Sequence, residues 1–532
     1  VNLRTVSLIE ALEHRARHDA DRPFLQWTDQ EALSYGQVHD EVRRWAGGLT
    51  AIGVEPGDTV LVMLPNGLDL VRTWFACNAI GALEVPVNTF LRGEFLRHVL
   101  ADARARVLVV DGRYLKHLAA VDLPEVLETV VVVGTDDCDG AALPAGVRTV
   151  AAAEVAAGRP IERMRPAGLG DLSAVFYTSG TTGPAKGIMF TYGQGCVTAR
   201  NYVDATGATG ADVFFCCMPL FHSNAQVLQV VAPLMVGGRV SIWPEFSASR
   251  WLDQVRSVGA TITNTLGVMT EFLHRQPARP DDADNPLRIV QTIPAPAAIV
   301  RDFERRFGVT CIDGYGLTDV GMVAFRRHDE PVVPGSSGRP VPDFEVIIAD
   351  PETDEPLPPG EVGEILIRPR VPNGFMRGYW HRPESTVAAW RNLWFHTGDA
   401  GSLDATGHLH FADRMGDSIR VRGENISSAE IEAAVSDHPD VQQCAAVAVP
   451  SDVGDYDVLL AVVPAPGKAP DPADLLRYCE GRMPYFAVPR YVDLLEELPM
   501  TPTQKVRKVE LRRRGVQPAT WDRQAAGFVV AR

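Results

Sequence analysis

From residue 59 to 134 the chain alternates two textures. Short apolar runs rich in β-branched residues (TVLVMLP, LEVPV, RVLVV, TVVVVG) are separated by segments of helical period (LDLVRTWFACNAIGA, EFLRHVLADAR). A continuous apolar run suits a strand covered on both faces, so this alternation predicts βαβ units around a parallel sheet. The pattern returns from 212 to 312 in ADVFFCCMPL, GRVSIWP, ATITNTL, LRIVQTI and VTCID, which predicts a second α/β layer. Between about 330 and 412 closely spaced turn signals (PVVPGSSGRPVPD, DPETDEPLPPGEVGE) enclose strands such as EILIRP and HLHFAD, as in a small β-rich subdomain. After Arg414 helix and strand patterns resume (SSAEIEAAVSDHP, VQQCAAVAVP, DVLLAVVP, DPADLLRYCEGRM) over a tail long enough for its own core. The expected fold class is α/β: a large N-terminal domain over 1–413, a connection at 414–417, and a smaller α+β domain over 418–532.

Composition narrows the function without naming it. The 532 residues are 46% hydrophobic and 22% charged, as in a folded soluble protein of several units. A formal charge of −16, from 67 acidic and 51 basic residues, argues against nucleic acid or an anionic membrane as partner, so an anionic ligand must be met by local groups. The eight cysteines form no CxxC pair, leaving neither zinc spacing nor a disulfide framework and suggesting reduced thiols in the cytoplasm. No apolar run approaches the roughly 20 residues of a membrane span, and the opening residues lack a signal-peptide pattern.

The densest chemistry lies in SAVFYTSGTTGPAKGIMF at 173–190, where a strand runs into a loop with three Gly, three Thr, one Ser and one Lys in ten residues. Backbone N–H groups, hydroxyls and one ammonium can then approach phosphate oxygens with little steric cost. It is not a Walker A loop, because Lys186 is preceded by Ala185 and followed by Gly187.

TSGTTGPAKG resembles the phosphate loop of the adenylate-forming superfamily of acyl-CoA synthetases, luciferases and adenylation domains, with the usual Pro displaced to Pro184. The resemblance assigns Thr178, Ser179, Gly180, Thr181, Thr182, Gly183 and Lys186 to ATP. DGYGLTDVG at 313–321 resembles the ATP-binding segment, with Gly314 and Gly316 in it, in which Tyr315 stacks on adenine, Thr318 contacts the α-phosphate, and an acid, here Asp319 where relatives carry Glu, holds Mg²⁺. HTGD at 396–399 and Arg414 look like the ribose clamp, a task for which the Asp399 carboxylate has the acceptor capacity. Gly416 then takes the hinge position and Gly423 the loop at the thiol channel. LPMTPTQKVRKVEL at 498–511 resembles the motif of the adenylation lysine, which implies that Lys505 is catalytic. CCMPLFHSNAQ at 216–226 matches the acid-pocket segment, with His222 as its gate and Ser223 and Asn224 beside it; Leu266, Gly267 and Met269 complete the pocket. TIPAPAAI at 292–299 stands where relatives have a Gly-Gly-Ala-Pro turn against adenine.

These motifs imply an ATP-dependent carboxylate–CoA ligase. It would form an acyl-adenylate with Thr318, His222 and Lys505 in catalytic roles, then pass the acyl group to coenzyme A as the C-terminal domain turns. Ser223, in the place of an ammonium-pairing Asp, implies an acid without an α-amino group. The alternatives are an acyl-AMP ligase loading a separate carrier protein, a luciferase-like oxygenating enzyme, or a nucleotide or acyl-adenylate binding protein without catalysis.

Overall fold

The computed structural model describes residues 2–531 apart from 135–142, 144–145, 179–183, 416–417, 453, 455 and 501–505; for 413, 414, 418, 425 and 429 it describes the backbone alone. Two seven-stranded sheets form the body of the N-terminal part. The first orders the strands Arg148–Ala151, Thr129–Val133, Val107–Asp111, Thr59–Met63, Leu83–Pro86 and Leu172–Thr178 in parallel and ends on the antiparallel Lys186–Thr191. The second runs Thr310–Ile312, Ile289–Ile293, Ile262–Leu266, Val213–Cys216, Arg239–Ile242 and Pro23–Trp27, closing with Leu33–Ser34. Their strands are buried on both faces because helices cover both sides, with polar residues among them on Ile262–Leu266 and Ile289–Ile293, and one core takes residues from both sheets, among them Val60, Val109, Phe214 and Ile262.

The expected strands of both layers form. Pro23–Trp27 adds to the second sheet from far upstream, lying parallel to Arg239–Ile242. The β-rich part is a sheet of Phe344–Ala349, Gly363–Pro369, Trp394–Leu403 and Trp390–Arg391, with Leu409–Arg414 paired to Trp394–Leu403. That strand stops at Arg414, and the hairpin Ser418–Val421/Glu424–Ser427 begins a separate core in which Ile419, Val421 and Ile426 pack with Ile431, Val458 and Val492. A four-stranded sheet, Val441–Pro450, Tyr456–Pro464, Tyr491–Leu494 and Trp521–Asp522, completes the C-terminal part. No helix among the described residues is long and apolar enough to cross a membrane.

Candidate active site

A cavity of about 1320 Å³ lies between the ends of the two N-terminal sheets and the C-terminal hairpin, with Lys186, Asp319, His222, Leu266, Gly423 and Glu430 among its walls. At one end the antiparallel pair Leu172–Thr178/Lys186–Thr191 holds Thr178 opposite Lys186, the two residues that flank the segment expected to hold phosphate. Ser179, Gly180, Thr181, Thr182 and Gly183 lie outside the described residues. The loop's exit is fixed by His98, whose Nε2 lies 2.8 Å from the Ala185 carbonyl oxygen.

Segment 377–380 runs beside Lys186–Thr191, with the Trp380 N–H donating to the Gly187 carbonyl at 2.7 Å. This brings Tyr379 beside Lys186 and Asp319. Its ring lies 5.0 Å beneath the Lys186 ammonium, and its hydroxyl donates to Asp319 Oδ1 at 2.6 Å. Burial and the negative charge of Asp319 push the Tyr379 pKa up, so the phenol stays a donor. The expected phosphate lysine and metal acid are thus joined through a tyrosine that the motifs did not single out. Thr318 sits in the turn between Gly314–Leu317 and Gly321–Phe325, its carbonyl accepting from Gln194 Nε2 at 2.7 Å.

Tyr315 is buried, and its hydroxyl donates to Asp399 Oδ2 at 2.7 Å. Asp399 stands directly opposite Arg414 in the antiparallel register. Glu364 holds the HTGD turn, accepting from the Gly398 N–H at 3.0 Å and lying 2.9 Å from His396 Nδ1. The turn that lacks the family's two glycines is clamped by Asp313, which accepts from the Ala295 N–H at 2.9 Å and the Gly314 N–H at 2.7 Å; burial pushes its carboxyl up to about 7.

At the other end His222, Ser223 and Asn224 begin the short helix Ser223–Gln226, which continues as a π-helical turn, Val227–Val231. Gln226 anchors that helix by donating to both oxygens of Glu84, at 3.2 and 3.0 Å, on a carboxyl that burial pushes up to about 8. Leu266 ends a strand of the second sheet, and Gly267 packs so closely on the Pro294 carbonyl that a Cβ there would meet it at 2.5 Å. Met269 lies one turn on and also borders the cavity.

The C-terminal hairpin closes this end. Its tip, Arg422 and Gly423, has φ of 52° and 86°, the two left-handed residues of a tight hairpin turn. Gly423 packs against Leu266 Cδ1, and Glu424 Oε1 lies 2.9 Å from His222 Nε2. Burial opposes charge on His222, but the charge and hydrogen bond of Glu424 outweigh it, even against nearby Arg420, so the imidazole pKa is raised. Glu430, at the start of the next helix, accepts from the Ala185 N–H at 3.3 Å, and burial pushes its carboxyl up to about 7.

Gly416 and Lys505 lie outside the described residues. Lys508, three residues further along the same motif, is engaged within the C-terminal part, donating to Ser428 Oγ at 2.6 Å and pairing with Glu432 at 2.8 Å. The motifs missed His98, Gln194, Tyr379, Glu424 and Glu430. Only Tyr379 carried a local signal, the aromatic GYW in a turn-rich stretch.

The AMP-binding enzyme family matches residues 12–380, and the AMP-binding enzyme C-terminal domain matches 430–505. The chain belongs to the AMP-binding enzyme family. This ligase is 35% identical to feruloyl-CoA synthase of Amycolatopsis sp. over 91% of its own length and 94% of the relative's. Among solved structures it resembles the amide bond synthetase McbA of Marinactinospora thermotolerans (TM-score 0.80, 26% identity, 96% and 99% of the two chains). It also resembles o-succinylbenzoate-CoA synthetase MenE of Bacillus subtilis (TM-score 0.81, 25% identity, 95% and 98%). It is an ATP-binding enzyme of the AMP-forming acid–thiol ligase class.

Proposed function

We propose that this ligase activates a carboxylic acid lacking an α-amino group as its acyl-adenylate and then transfers the acyl group to the thiol of coenzyme A, in the cytoplasm. In the first half-reaction a carboxylate oxygen attacks the α-phosphorus of ATP and pyrophosphate departs in line; the nucleophile is already ionised, so positioning and charge neutralisation carry the step. Lys186 and the phosphate loop hold the polyphosphate, Lys505 balances charge on the pentacoordinate phosphorus, Thr318 contacts the α-phosphate, and Asp399 with Arg414 holds the ribose. Among the described residues no three His, Cys, Asp or Glu side chains gather as a metal site. A single acid, Asp319, beside the phosphate lysine fits a Mg²⁺ ion carried mainly by substrate phosphates and water. When bound, Mg²⁺ neutralises phosphate charge.

In the second half-reaction the thiol attacks the acyl carbonyl and AMP leaves. The observation that carries this reading is the docking of Gly423 on Leu266 and of Glu424 on His222, a contact between the C-terminal hairpin and the residues expected to line the acid pocket. Similarity to MenE bound with its product analogue OSB-NCoA over nearly the whole chain supports the same arrangement. We assign 414–417 as the hinge, with Gly416 as pivot, between a domain of 1–413 and a mobile domain of 418–532 that brings Lys505 to ATP in its other position. Ser223 leaves the segment after His222 without a carboxylate to pair an ammonium, whose desolvation there costs several kcal/mol.

Pyrophosphate exchange across a panel of acids, followed by product analysis with coenzyme A, a phosphopantetheinyl carrier protein or an amine as acceptor, tests the proposal. The expected result is a thioester of coenzyme A. Preference for α-amino acids, or transfer only to the carrier or the amine, overturns it.

A further inference from the structure

Beneath the acid pocket the interior is polar where a pocket for a plain hydrocarbon would be apolar. Thr198 and Asn224 border the cavity. Behind Asn224 runs a chain of buried neutral groups. Asn264 Nδ2 donates to Asn224 Oδ1 at 3.3 Å, the Tyr202 hydroxyl to Asn264 Oδ1 at 2.6 Å, and Gln229 Nε2 to the Tyr202 hydroxyl at 3.4 Å.

Asn264 is paired in register with Gln291, two residues below the Leu266/Ile293 pair at the cavity wall. On a strand that is the same face, about 6–7 Å deeper. Thr198, Asn201 and Tyr202 share one face of the helix Tyr192–Thr206 by their spacing of three and four.

Several of these groups are buried with polar atoms that have no protein partner: Thr198 Oγ1, Asn201 Nδ2, Gln229 Oε1 and both ends of Gln291, in residues no more than 6% exposed. Buried amides and hydroxyls are normally bonded, so such a cluster beside a ligand cavity points to an absent polar partner. The groups are all neutral, with no counter-charge for a second carboxylate or an ammonium.

We infer that the acid this ligase activates carries a neutral hydrogen-bonding oxygen, a hydroxyl or carbonyl, at the end remote from its carboxylate, read by Thr198 and by Asn224 with Asn264 behind it. The inference rests on the acid-pocket reading above and names its substrate class. A pocket built to bond such a group discriminates strongly against the analogue lacking it, because its own donors and acceptors are then left dry and unpaired.

The test is pyrophosphate exchange with matched pairs: 4-hydroxycinnamate and cinnamate, 4-hydroxybenzoate and benzoate, 8-hydroxyoctanoate and octanoate. In at least one pair the oxygenated member is expected to lead in kcat/KM by about 100-fold. Thr198→Val, which nearly keeps shape, should cut that ratio about tenfold or more. Asn264→Leu should do the same, with an ATP-induced rise in Tm checking that each variant folds. If deoxy acids match or exceed their partners in every pair, the polar floor is filled by water and the inference falls. If no acid supports exchange although ATP raises Tm, the acid-activation reading itself has failed.

Discussion

The two ends of the cavity are built on opposite electrostatic plans. At the nucleotide end, charged and strongly polar groups hold one another: Lys186 over Tyr379, Tyr379 on Asp319, Tyr315 on Asp399, Glu364 on the HTGD turn. On the buried floor of the acid end the groups are neutral, and several have polar atoms without a protein partner, the one charged contact, His222 with Glu424, lying at its mouth. A nucleotide brings its own charge and metal, so its site can wait in a self-bonded form and exchange those bonds for phosphate and ribose contacts. A neutral polar substituent offers little Coulomb energy, so selectivity for it comes from the penalty of leaving buried groups unmatched. Substitutions at the nucleotide end should therefore be indifferent to which acid is offered, whereas those at the acid end should separate acids or half-reactions.

The largest expected effect belongs to Lys505→Ala. Loss of one preorganised cation should slow adenylation about 100-fold or more for every acid alike. Conversion of a supplied acyl-adenylate to thioester should stay near the wild-type rate. Equal loss in both assays would make the lysine structural. Next is Asp319→Asn, which keeps shape but removes charge: adenylation should fall about 10- to 100-fold with a raised Mg²⁺ requirement, read from rates across a Mg²⁺ titration. Tyr379→Phe should shift the same titration by a smaller factor, since it removes the hydroxyl that fixes Asp319.

The contrast between the ends also governs what the sequence disclosed. The nucleotide end is made from contiguous loops, and a loop that must meet phosphate or ribose carries its chemistry in consecutive residues, as in 178–186, 313–321 and 396–399. Its supporting contacts were hidden because they join distant segments; nothing local says that Tyr379 lies beside Lys186 and Asp319. The acid-end floor is harder still to read. Thr198, Asn264 and Gln291 are single positions on regular helix and strands, where each would pass for an ordinary buried polar residue. The fold was legible wherever strands are buried on both faces, as at 59–63 and 129–133. The Pro23–Trp27 strand escaped because PFLQW is short and the parallel partner that ties it to the sheet lies over 200 residues away.

Across the mouth of the acid end, His222, the expected gate, and Glu424 form a charged contact with the hairpin tip. The His222 pKa is raised in this docked arrangement, so its contribution is fully present below the free value of about 6.5 and is lost as pH rises through the raised value. Thioester formation from supplied acyl-adenylate should weaken accordingly on the alkaline side. Glu424→Gln should slow that step about fivefold below neutrality and flatten its profile, as expected for a partly exposed pair. Adenylation should change less. A profile that keeps its shape in Glu424→Gln would assign the titration to another group.

The smallest effect separates local strain from docking. Gly423 has φ of 86°, where an L-residue costs roughly 1 kcal/mol, and a Cβ there would run into Leu266 Cδ1 across the domain boundary. The first cost belongs to the hairpin turn and would persist in the second position proposed for the C-terminal domain. The second exists only while the hairpin is docked at the acid end. Gly423→Ala should therefore slow thioester formation about threefold while leaving adenylation close to wild type, because strain common to both positions cancels from the balance between them. Leu266→Ala removes the obstacle, so the double variant should recover the thioester rate relative to Leu266→Ala alone, a coupling that a double-mutant cycle measures directly. If Gly423→Ala slows both half-reactions equally and Leu266→Ala brings no recovery, the cost lies in the turn itself, and the hairpin tip does not work against the acid pocket.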